Sequence, residues 1–109
     1  MLKPEYKLIR DKITDIIKVE THSTPIVKTL NNTEFRVELE LKLKEKVLEL
    51  LLADDLSAKK IKLADIYEIL DYLIKTYSTT AKTINDIRKD IRKKRGAFNK
   101  KQFLIMIEK

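Results

Sequence analysis

Phe35-Arg36-Val37-Glu38-Leu39-Glu40-Leu41-Lys42-Leu43-Lys44 is the stretch on which the fold turns, because its two signals disagree. Apolar and polar residues alternate with period 2, the pattern of a half-buried strand. The composition opposes it: Glu, Leu and Lys are good helix formers, and Val37 alone is β-branched. Further on, the alternation breaks into Val47-Leu48 and Leu50-Leu51-Leu52, a clustering that suits a buried helix. The segment reads as helix.

The sequence on either side supports that reading. No Gly or Pro lies between Pro25 and Gly96, so no strong breaker interrupts this span. Softer signals divide it. Asn31, with Glu34 three residues on, resembles a capping box. Asp54-Asp55-Leu56-Ser57 ends one helix and caps the next, and Ser78-Thr79-Thr80 does the same for a third. The expected helices run near 33–53, 57–77 and 80–95, with an N-terminal helix near 6–18. Residues 24–30 and 102–107 are candidates for short extended pieces near the termini.

Composition narrows the class. The 109 residues allow one domain, 1–109. They are 43% hydrophobic with one Gly and two Pro, too few turn formers for a sandwich or barrel. No Cys and a single His (His22, read as a surface residue) remove disulfides, thiolate chemistry and multi-histidine metal sites. No apolar run reaches membrane-spanning length, and Met1–Glu5 lacks the apolar core of a signal peptide, so the expectation is a cytoplasmic protein with no membrane partner. The net charge of +7 resides in residues 79–109, with ten Lys and Arg against Asp86, Asp90 and Glu108, while residues 1–78 are balanced.

Two helices carry their polar groups as stripes. In residues 63–74, Asp65, Glu68 and Asp71 fall within a sector of about 120° at 100° per residue. In residues 41–52, Lys42, Glu45, Lys46 and Glu49 share one side. Each stripe either faces water or faces the other, and carboxylates from adjacent helices suit a hard cation such as Mg²⁺.

Three segments, in order, are more specific. They are "YKLIRDKITDII" (Tyr6–Ile17), "KLKEKVLEL" (Lys42–Leu50) with "KLADIYEIL" (Lys62–Leu70), and "IRKKRGAFNKKQFL" (Ile91–Leu104). With them the chain resembles the MazG-like, phosphoribosyl-ATP-pyrophosphohydrolase-like branch of the all-α nucleoside triphosphate pyrophosphatases, over nearly its whole length. The resemblance implies an all-α helical bundle, dimeric or a dimer of dimers, that splits a nucleoside triphosphate into monophosphate and pyrophosphate. It also implies Mg²⁺ (or Mn²⁺) held by E-x-x-E and E-x-x-D motifs, whose second ligands here are Glu49 and Asp65.

The first ligand of each motif is replaced by Lys46 and Lys62, and a Lys expected four residues before Arg95 is Ile91. Glu45 and Glu68 are the neighbouring acids left to complete a metal set with Glu49 and Asp65, and Glu45, Glu49 and Asp65 are the candidate catalytic carboxylates. The two Glu-to-Lys changes take the site from four formal negative charges to none, which implies weakened or lost Mg²⁺-dependent hydrolysis. Lys46 is expected to reach Glu49, and Lys62 to reach Asp65, in the electrostatic role of the missing cation. Lys7, Arg10, Lys12, Arg92, Lys94 and Arg95 are candidates for gripping the phosphates of a nucleotide or other polyphosphate. Lys46 and Lys62 join them if the protein is a non-catalytic nucleotide-binding sensor, scavenger or partner of another protein.

Gly96 fits a helix C-cap, Phe98 and Phe103 are expected core anchors, and Tyr67 and Tyr72 are expected packing residues. Nucleic-acid binding through the basic residues 82–101 ranks last, since Phe98 is the only aromatic among them. Leu48, Leu51, Leu52, Ile66, Leu70, Leu73 and Ile74 exceed what a small helical monomer encloses, so an interface between copies is expected.

Overall fold

The computed structural model describes residues 5–109, which form α1 (Ile13–Thr21), α2 (Asn32–Leu52), α3 (Leu56–Thr76) and α4 (Ala81–Arg95). Among the described residues there is no strand, and the architecture is all-helical. The period-2 stretch 35–44 lies wholly inside α2, where helix-forming composition outweighs alternation.

The caps explain the boundaries. Asn31 Oδ1 accepts from the Glu34 backbone N–H at 2.8 Å, and the Asn31 N–H donates to Glu34 Oε1 at 3.1 Å, completing the capping box. Asp55 accepts from the Ala58 N–H at 2.8 Å and starts α3, while Thr80 accepts from the Thr83 N–H at 3.2 Å and starts α4. Gly96 ends α4 at φ +84° and ψ −179°, its N–H donating to the Arg92 carbonyl at 2.7 Å. That conformation is open essentially only to glycine.

α2 and α3 form an antiparallel hairpin around residues 53–55. At its closed end Lys59 Nζ donates to the Leu50 carbonyl at 2.9 Å, satisfying one of the carbonyls that α2 leaves unpaired. At the open end Phe35 meets Tyr72 edge to face, with centroids 6.2 Å apart, and Lys75 lies over the Tyr72 ring at 4.9 Å. Tyr77 donates to Glu40 at 3.1 Å; burial, reinforced by that carboxylate, raises its pKa above the ordinary phenol value. Between the ends, Leu39, Ile69 and Leu73 are buried, with Leu8, Phe35 and Leu43 packed against them. Each buried aliphatic contributes about 1.5–3 kcal/mol. α4 leans on α3, and among the described residues α1 packs on no other helix.

The structure corrects several expectations. The first helix starts at Ile13 rather than near residue 6, because residues 5–10 follow a non-helical path and Asp11-Lys12 turn into α1. It runs on to Thr21, and His22 closes it in the left-handed region at φ 56°. Residues 24–30 and 102–107 are non-helical, but neither pairs as a strand. Phe98 and Phe103 are not core anchors: they are 96% and 86% exposed, on the non-helical tail that follows α4. Tyr67 is likewise exposed. Leu48, Leu51 and Leu52 are uncovered in the single chain, in keeping with more apolar surface than it can enclose. Within the single chain α3 buries Ile69 and Leu73. The isolated chain is elongated, 66 × 35 × 24 Å, with a radius of gyration of 19.2 Å. A compact chain of this length has about 13 Å.

Candidate functional site

The two polar stripes meet in part, where Lys46 and Glu49 of α2 stand against Lys62 and Asp65 of α3. Hairpin geometry sets the Lys42–Glu49 side of α2 beside the Lys62–Glu68 side of α3, and the ion pairs cross between them. Glu49 sits at the centre. Its Oε2 is shut off from solvent and lies 3.1 Å from Lys46 Nζ and 3.2 Å from Lys62 Nζ. Lys46 also reaches Asp65, at 4.0 Å, and so links the two stripes. Asp65 in turn accepts from the Arg10 guanidinium at 2.8 Å, and the same guanidinium lies 3.4 Å from Glu68. Glu45 pairs with Lys42 at 3.6 Å along α2.

Four carboxylates thus face four cations. The Lys46 ammonium holds the Glu49 carboxyl below its ordinary pKa; partial burial opposes this and Lys62 reinforces it. Glu49 is therefore kept ionised by its own chain.

The expectation for Lys46 matches this geometry, since it pairs with Glu49. Lys62 behaves differently: it crosses to Glu49 on α2 instead of reaching Asp65 on its own helix. Arg10, read from the sequence as a phosphate contact, is placed on Asp65 and Glu68. The remaining basic candidates take no part in the cluster's ion pairs. Lys7 pairs with Glu5 at 3.6 Å, Lys12 is the N-cap residue of α1, and Lys94 pairs with Asp90 at 3.0 Å on α4. Arg92 and Arg95 project from the exposed last turn of α4. Among the described residues none of these makes an ion pair with Glu45, Glu49, Asp65 or Glu68. Sequence reasoning missed the membership of Arg10, and nothing local signals a partner 55 residues away.

A Mg²⁺ ion needs carboxylate oxygens free to approach to about 2.0–2.1 Å in octahedral array. Here each candidate ligand already carries an ammonium or guanidinium: Lys42 on Glu45, Lys46 and Lys62 on Glu49, Arg10 on Asp65 and Glu68. Among the described residues no three acidic or histidine side chains come together in a metal-holding group. The donor set does not fit a hard dication.

No helix among the described residues is long and apolar enough to cross a membrane. Compared with protein-family models, curated proteins and solved structures, the chain gives no match.

Proposed function

We propose that this chain is a MazG-like nucleotide-binding protein of the cytoplasm in which Mg²⁺-dependent pyrophosphohydrolysis is abolished or strongly weakened. One observation carries the loss of hydrolysis: Lys46 and Lys62 clasp Glu49 from two helices, at 3.1 and 3.2 Å. A carboxylate so neutralised has little left to offer a metal ion. What supports ligand binding is the resemblance in three ordered segments, together with the exposed cations of the α4 terminus, Arg92, Lys94 and Arg95. Guanidinium and ammonium groups of this kind bind phosphate through charge-assisted hydrogen bonds and require no metal.

The reading includes a two-fold homodimer, or a dimer of two such dimers, closed through the hairpin. It is supported by Leu51 and Leu52, 69% and 79% exposed at the end of α2, and by the elongation of the single chain. Exposed apolar surface of this extent marks an interface, and a two-fold pair is the simplest closed assembly.

The test has two arms. Pyrophosphate release is measured across a panel of nucleoside triphosphates with Mg²⁺ or Mn²⁺, against a Glu49→Gln/Asp65→Asn control. Calorimetry with the same nucleotides is run in the presence of a chelator. The expected result is binding without metal and no turnover above the control. Turnover well above the control refutes the loss of hydrolysis, and binding that vanishes with the chelator refutes metal-free recognition. Light scattering that returns 12.9 kDa, the monomer mass, refutes the dimer.

A further inference from the structure

We propose that Arg10, Lys46 and Lys62 together take the place of a divalent cation in the α2–α3 cluster, and that Arg10 straps the segment before α1 onto it. A dication bridging two helices does two things: it cancels the repulsion of facing carboxylates, and it ties the helices together. The three side chains do both. Lys46 lies 3.1 Å from Glu49 and 4.0 Å from Asp65, one ammonium between two helices, and Lys62 returns the link from α3 to Glu49 at 3.2 Å.

Arg10 adds what a bare ion lacks. Its guanidinium spans Asp65 at 2.8 Å and Glu68 at 3.4 Å, one turn apart on α3. Two residues earlier, Leu8 packs against the buried Leu39, Ile69 and Leu73. An apolar anchor and a two-point ionic latch therefore fix residues 8–10 across the hairpin, although this segment lies outside any helix and only the Arg10 carbonyl is bonded into the turn before α1, by the Ile13 N–H at 3.1 Å. Arg10 and its partners are partly exposed, so the latch is open to screening by salt, with a Debye length near 10 Å at 0.1 M and 3 Å at 1 M.

Neither the cation substitution nor the strap requires a bound nucleotide. Backbone ¹⁵N relaxation on the full chain tests the strap, with circular dichroism to confirm that each variant is folded. In the wild type, residues 7–10 should show order parameters close to those of the helices, about 0.8 or above. Arg10→Gln should bring them toward about 0.6, and so should Asp65→Asn/Glu68→Gln, which leaves the segment itself unaltered. High salt should act on the wild type in the same direction. Unchanged order parameters in either variant overturn the strap. Electron paramagnetic resonance of added Mn²⁺ tests the cation substitution directly. Wild-type protein should leave the free-ion spectrum undiminished, and stoichiometric Mn²⁺ binding overturns the substitution.

Discussion

Lys59 closes the α2–α3 hairpin on itself: its ammonium, at the start of α3, donates to the Leu50 carbonyl at the end of α2 across 2.9 Å. The carbonyl belongs to the last turn of α2, where no intrahelical partner exists, and the bond is partly buried. Lys59→Met keeps most of the aliphatic stem and removes the donor. It should lower unfolding stability by about 1–2 kcal/mol, the range for a hydrogen bond to a charged group with some solvent access. The midpoint of urea denaturation reads this out, and an unchanged midpoint refutes it.

Reversing the two lysines tests the charge balance of the site. In chelator, Lys46→Glu/Lys62→Glu should melt below the wild type, because it sets like charges around Glu49 and Asp65 where cations now stand. Mg²⁺ should raise the melting temperature of the variant and leave that of the wild type unmoved. At a metal concentration of 100 Kd, linkage gives about 2.7 kcal/mol. A Mg²⁺-dependent shift in the wild type would count against the paired cluster.

Acid should loosen the protein through two carboxylates. Glu34 is held below its ordinary pKa of 4.5 first by its backbone bond with Asn31 and then by Lys28; Glu49 is held down chiefly by Lys46. A carboxylate with a depressed folded pKa stabilises the fold above the unfolded pKa, and that contribution is lost as pH falls through the folded value. Melting temperature should therefore decline below about pH 4.5. Glu34→Gln/Glu49→Gln should start lower and decline less steeply over the same window. Parallel curves contradict the assignment.

Gly96 can be tested locally. At φ +84° and ψ −179° an added Cβ meets no neighbour within 4 Å, so the cost of Gly96→Ala is conformational alone. A non-glycine residue in that region costs about 1–3 kcal/mol. The effect should fall on the last turn of α4. Hydrogen exchange of the Gly96 amide, which now bonds Arg92, should quicken by roughly tenfold per 1.4 kcal/mol lost. Exchange as slow as in the wild type excludes the strain.

What the sequence made legible is what short-range chemistry determines. Asn31 with Glu34, Asp55, Thr80 and Gly96 mark helix ends through groups within four residues of each other, and α2, α3 and α4 lie where those signals put them. The start of α1 was not legible, because Lys12 caps it without any side-chain hydrogen bond. In the site, Lys46 beside Glu49 follows from helical spacing. Lys62 on Glu49 and Arg10 on Asp65 do not, since both depend on how the hairpin and the N-terminal segment pack. Phe98 and Phe103 were misplaced for the same reason: hydrophobicity says that a side chain seeks cover, not which part of the fold supplies it.

The exposed tail has a consequence for the protein's behaviour at high concentration. Phe103-Leu104-Ile105-Met106-Ile107 is an uncharged, proline-free run whose backbone makes no ladder among the described residues. Short β-prone segments of this kind stack readily between molecules. Lys100 and Lys101 precede the run, and Glu108 and Lys109 follow it. In a stacked array these like charges would be brought into register at every layer, so they act as gatekeepers against fibril growth. Neutralising Lys100 and Lys101 would remove the charge on one side and leave the five apolar residues free to nucleate.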